Sequence, residues 1–93
     1  MAKIIIPTPL RKFTGNNAFL ETNGKTIGKA IYGITETFPE IKQHLYDKDG
    51  KLRSFVRVFL GDTDVRTLSG ELTEVGPTDT ISIIPAIAGG IKG

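Results

Sequence analysis

The chain has 93 residues, 39% hydrophobic and 24% charged, a composition that fits one folded domain and leaves no length for a second core. Twelve basic against ten acidic residues give a net charge of +2 with the signs interspersed, which argues against a nucleic-acid surface. The absence of cysteine excludes disulfides, thiolate nucleophiles and cysteine-based metal sites. The longest apolar runs, Ile4 to Ile6 and Ile83-Ile84, fall far short of the roughly 20 residues of a membrane helix. "MAKIIIPTPLRKF" has too brief an apolar stretch for a signal peptide, so a cytoplasmic protein that binds no membrane is expected.

"KIIIPT" is β-branched and closed by prolines, which predicts a first strand over Lys3 to Pro7. "LRKFTGNN" carries the glycine and asparagines of a turn, and "AFLET" before "NGK" completes a hairpin. From Thr26, Ile27, Ala30, Ile31, Ile34 and Phe38 recur on one helical stripe, with Thr26 as N-cap and Pro39 as the stop. Gly28 and Gly33 inside that helix each cost up to about 1 kcal/mol against alanine, so burial of the stripe must sustain it.

"IKQHLYDKDGK" reads as a short helical turn and a loop, with a turn at Asp49-Gly50. "SFVRVFL" alternates, Val56, Val58 and Leu60 inward and Phe55, Arg57 and Phe59 outward. A polar connection follows, with turns at Gly61-Asp62 and Gly76-Pro77 and a short strand over Asp64 to Arg66. "TISIIP" is the last strand, alternating Ile81 and Ile83 with Ser82 and ending at Pro85. The order β-β-α-β-(β)-β, with one amphipathic helix for one face of a mixed sheet of four to five strands, predicts an α+β ubiquitin-like β-grasp. Residues 1–85 form its domain and 86–93 a flexible tail.

Several signals for chemistry fail on spacing. "NGKT" would need a phosphate-loop glycine where Phe19 stands. "DKDGK" has Asp47 and Asp49, but Lys51 and Leu52 occupy the next calcium-loop positions. His44 is the only histidine and has no carboxylate beside it in sequence, so it is read as packing or surface. Ser54, Ser69 and Ser82 have no nucleophile-elbow context, and a chain this short leaves little room for a pocket of several hundred cubic ångströms. The chain is therefore expected to be no enzyme and to hold no metal or bound cofactor.

The tail has its own physical case. From Ala86 to Gly90 every residue but Ile87 is small, and this stretch can extend about 17 Å beyond the last strand. Ala88, Gly89 and Gly90 can thread a channel too narrow for larger side chains, since glycine has no Cβ. Ile91, Lys92 and Gly93 follow, so Gly90 sits in peptide linkage.

"IIPAIAGG" after this pattern resembles the C-terminus of the sulfur-carrier proteins of the ThiS and MoaD family. "IPTPLRKFTGN", "GKTIGKAI" and "FVRVFLGDTDVR" are similar to the MoaD-like carriers that serve cysteine biosynthesis, so the resemblance covers nearly the whole chain. It implies that the reactive group is the carboxylate of Gly90. An E1-like adenylating enzyme of the ThiF/MoeB type would use ATP and magnesium to form an acyl-adenylate there, and a sulfur donor would displace AMP to leave a thiocarboxylate. An acceptor such as a cysteine-synthase-like enzyme would receive the sulfide. The family includes carriers with a short extension removed by a JAMM-type zinc metalloprotease, which implies processing between Gly90 and Ile91. Phe55, Arg57 and Phe59 are the expected partner interface, and a small carrier passed between enzymes is expected to be monomeric when free. Thiamine or molybdopterin synthesis, a protein modifier forming isopeptide bonds, and an interaction module with an inert tail are the competing readings.

Overall fold

The β-branched run that opens the chain forms β1 (Ala2–Ile5), one residue earlier than its sequence pattern predicts. The computed structural model describes residues 1–53 and 55–85; the predicted tail and Ser54 lie outside the described residues. Ile6 still donates its N–H to Ala18 O at 2.8 Å and is fully buried, so the pairing persists past the formal end of the strand. Pro7 then hands over to a 3-10 helix, Thr8–Phe13, where a turn was expected. Proline has no amide hydrogen and a fixed φ suited to a helix start, which is why "PTPLRKF" winds rather than bends. The turn falls afterwards, at Gly15 and Asn16, whose φ angles are 64° and 65°.

β2 (Phe19–Thr22) returns antiparallel to β1, Ile5 opposite Phe19 and Ala2 opposite Thr22. The chain then crosses the inner sheet face as α1 (Ile27–Thr37). Thr26 caps it, its side-chain oxygen accepting from Lys29 N at 3.3 Å, and Phe38 closes it by donating its N–H to Ile34 O. The predicted stripe is the buried one: Ile27, Ala30, Ile31 and Ile34 face the sheet, and Phe38 packs half-buried against the core. Each fully buried isoleucine contributes about 1.5–3 kcal/mol, which offsets the two helical glycines.

Pro39 starts a 3-10 turn, and α2 (Lys42–Leu45) follows. The 46–52 loop closes with a bridge between Tyr46 and Leu52. Asp47 stitches it: one side-chain oxygen accepts from Asp49 N at 2.8 Å and Lys51 N at 3.1 Å. β3 (Val56–Leu60) buries Val56 and Val58 as predicted, with Leu60 partly buried against the core. β4 (Thr63–Asp64) pairs with β3, and where the sequence suggested strand through Arg66 the chain winds into a 3-10 turn at Val65–Thr67. Asp64 causes this by accepting from Arg66 N at 2.9 Å, the geometry of a cap.

β5 (Thr80–Pro85) inserts between β1 and β3, parallel to the first and antiparallel to the second, giving the sheet order β2-β1-β5-β3-β4. Ile81 and Ile83 complete the core with Ile4, Ile6, Ile41 and Leu45. The last strand is thus the central one.

Candidate functional site

Central placement fixes where the tail leaves. Pro85 lies opposite Val56, the first residue of β3, and β5 runs parallel to β1, so the described chain ends at the sheet end where β1 finishes. The 3-10 helix after β1, α2, and the chain entering β3 meet at this end. Ala88, Gly89, Gly90 and Ile91 lie outside the described residues.

The outer sheet face continues toward this exit. Arg57 opposes Ile84, Phe59 opposes Ser82, Ser82 opposes Ile5, and Ile5 opposes Phe19, all on the face turned from α1. Of the three predicted interface residues, Arg57 is exposed and Phe59 half-buried on this face. Phe55 is 39% exposed but belongs to the turn before β3, because Val56 N is bonded to Arg53 O at 2.9 Å. The expected Phe55-Arg57-Phe59 alternation along one strand is corrected to this extent. Two apolar side chains escaped the sequence reading: Ile84, 47% exposed, and Phe19, 50% exposed beneath the Lys3 ammonium 5.0 Å from its ring centroid. Ile84 was discernible, since its parity in "TISIIP" is opposite to that of Ile81 and Ile83.

His44 packs as its isolation suggested, its ring stacked on Phe13 with centroids 4.2 Å apart. Tyr46 is the group most displaced in acidity: burial first, then the Glu71 carboxylate and Tyr32, push its hydroxyl up to about 12. Asp47 is held below the ordinary carboxylate range, chiefly by the Lys51 backbone N–H.

One expectation about cavities is corrected. A cleft of about 570 Å³ opens at the far end of the sheet, lined by Met1, Thr22, Gly24, Lys25, Glu74 and Pro77 among others. It exists because the 73–77 segment stands as a wall, tied by Ile27 N to Thr73 O and by Val75 N to Lys25 O, both at 2.9 Å. The cleft is remote from the tail exit. Among the described residues no group of three histidines or carboxylates is placed to hold a metal, and no helix is long and apolar enough to cross a membrane.

A central strand parallel to β1, a single long helix across one face and an exit for the C-terminal tail define a ubiquitin-like β-grasp protein. Comparison with known proteins narrows this. The ThiS family profile matches residues 4–90. The sulfur carrier protein CysO of Mycobacterium tuberculosis is 36% identical over 89 residues, covering 94% of this chain and 96% of that protein. The crystal structure of a BexX/CysO complex from Amycolatopsis orientalis contains a chain superposing with a TM-score of 0.85 at 34% identity, over 94% of this chain and 97% of that one. The small archaeal modifier protein 1 of Methanosarcina acetivorans shares the fold, with a TM-score of 0.85 at 20% identity over 94% of this chain and 93% of that one. The chain belongs to the ThiS family.

Proposed function

We propose that this protein is a sulfur carrier whose working group is the main-chain carboxyl of Gly90, exposed by removal of Ile91, Lys92 and Gly93. The observation that carries the reading is where the family match stops: it runs to residue 90, the second glycine, and leaves the last three residues outside. The carrier names borne by relatives above 30% identity support the sulfur role.

A free carboxylate is ionised at neutral pH and resists nucleophiles, so it requires activation. An E1-like partner supplies ATP and magnesium. A Gly90 carboxylate oxygen attacks the α-phosphorus and pyrophosphate leaves, giving the acyl-adenylate. A hydrosulfide-level donor then attacks the acyl carbon and AMP departs with the bonding pair, leaving a thiocarboxylate. The carrier contributes no catalytic side chain. It contributes a terminus without cysteine chemistry and an outer face of Phe19, Arg57, Phe59 and Ile84 to dock on. Cysteine or homocysteine synthesis is the acceptor route proposed for the sulfide, with molybdopterin and thiamine synthesis as alternatives. A modifier forming isopeptide bonds would use the same acyl-adenylate and is distinguished by lysine adducts.

The test is ATP–pyrophosphate exchange with the host's adenylating enzyme, comparing the full chain, the chain ending at Gly90, and that shorter chain with Gly90→Ala. Exchange by the chain ending at Gly90 alone is the expected result. Equal exchange by the full chain would refute the role of Gly90.

A further inference from the structure

We propose that the sheet end from which the tail departs is a cationic docking collar, formed by Arg11, Lys12, Arg53 and Arg57, for a protein partner whose tail-accepting cleft is rimmed by carboxylates. This rests on the reading of Gly90 as the reactive end. The collar groups come from separate stretches of sequence, and their contacts place each at this sheet end. Arg11 donates its Nε–H to Ile6 O at 3.0 Å, a carbonyl one residue past the end of β1. Lys12 follows it, its ammonium 5.2 Å from the Phe13 ring centroid. Arg53 accepts from Val56 N at 2.9 Å through its carbonyl and donates its Nε–H to Gln43 O at 3.0 Å, and Val56 is the residue opposite Pro85. Arg57 opposes Ile84 on the exposed face. The Arg66 guanidinium also reaches this end, at 3.5 Å from Val56 O.

The carboxylates of this quarter do not cancel the collar. Glu40, Asp47 and Asp49 are matched in number by Lys42, Lys48 and Lys51 on the same segments; Asp47, besides stitching its own loop, feels the Arg53 guanidinium and offsets part of its charge, so Arg11, Lys12 and Arg57 carry most of the collar. The opposite end carries Asp62 in the β3–β4 turn, Asp79 entering β5 with one oxygen accepting from Gly76 N at 2.7 Å, and Glu74 bridging to Thr26. The far end mixes these carboxylates with Lys25 and Lys29, whereas the exit end gathers Arg11, Lys12, Arg53 and Arg57, a local excess that the chain's small net charge conceals. A cationic collar at the sheet end where β5 finishes orients approach to an acidic cleft before contact, which is the electrostatic steering that raises association rates.

The test uses the carrier ending at Gly90 and the host's adenylating enzyme, with pyrophosphate exchange as the readout at low and at high salt. Lys12→Glu/Arg53→Glu is compared with Lys25→Glu/Lys29→Glu, which changes net charge equally at the far end. The collar pair is expected to raise KM about tenfold or more at low salt with kcat unchanged, while the control pair leaves KM where it was. The difference should collapse at about 1 M salt, where the Debye length is about 3 Å. Lys12→Glu alone, whose ammonium rests over the Phe13 ring, should move KM in the same direction and covers the case in which Arg53→Glu disturbs folding. Equal KM for collar and control, or a difference indifferent to salt, would overturn the collar while leaving Gly90 its role. An unsubstituted carrier that supports no exchange overturns the Gly90 reading and the collar with it.

Discussion

Two glycines touching the same helix should respond to alanine with opposite signs. Gly24, in the β2–α1 connection, faces the first turn of α1 so closely that a Cβ would lie 2.4 Å from Ala30 N, 2.5 Å from Ala30 Cα and 2.8 Å from Lys29 C. All three are backbone atoms, so relief requires moving the helix or the loop, and overpacking of this kind costs about 1–3 kcal/mol. Gly33, near the middle of α1, would place a Cβ in open space. There alanine removes the glycine penalty of up to about 1 kcal/mol in a helix interior. For a domain of this size each kcal/mol moves Tm by about 4–8 °C. Gly24→Ala is therefore expected to lower Tm by about 4–24 °C and Gly33→Ala to raise it by up to about 4–8 °C, read by far-ultraviolet circular dichroism on heating. The consequence reaches function, because α1 packs beneath β5 and holds the strand that presents the tail. A Gly24→Ala chain as stable as wild type, or two shifts of the same sign, would refute this account of the helix entry.

The remaining expectations concern acid sensitivity and the docking face. The Asp47 carboxyl is lowered from 3.8 in the folded chain, so its contribution is fully present above that value and is lost as pH falls through the folded pKa. Denaturant titrations of Asp47→Ala and wild type should thus differ at neutral pH and converge in acid; a constant gap would contradict the loop geometry. The Tyr46 hydroxyl, raised from 10.0 to about 12, works in the other direction: stability should fall as pH rises above 10, and Tyr46→Phe should flatten that alkaline limb in the same titrations. Ile84→Asp alters a side chain already 47% exposed, so Tm should change little while KM for activation rises. An Arg57→Glu chain activated as efficiently as wild type would remove the outer face from the interface.

What the sequence disclosed and what it hid divide along physical lines. The α1 stripe, its Thr26 cap and the inward valines of β3 are local periodicities, readable because burial selects one face at a time. The 3-10 helix at Thr8–Phe13 was hidden by prolines, which mark strand ends and helix starts alike. Phe55 was misplaced because alternation continues on paper past the point where Val56 N turns back to Arg53 O. Placement of β5 between β1 and β3 is a nonlocal outcome, and so are the exposed row from Phe19 to Ile84 and the collar of Arg11, Lys12, Arg53 and Arg57. The tail proposed as the chemical end lies outside the described residues and rests on residue type and spacing alone: small residues, two glycines, then three residues more.

The central claim is most directly tested by the intact mass of the protein recovered from its native host under sulfur limitation, with the C-terminal peptide sequenced. The account predicts a chain ending at Gly90 with one carboxyl oxygen replaced by sulfur. A chain that retains Ile91, Lys92 and Gly93 and carries no thiocarboxylate under those conditions would contradict it.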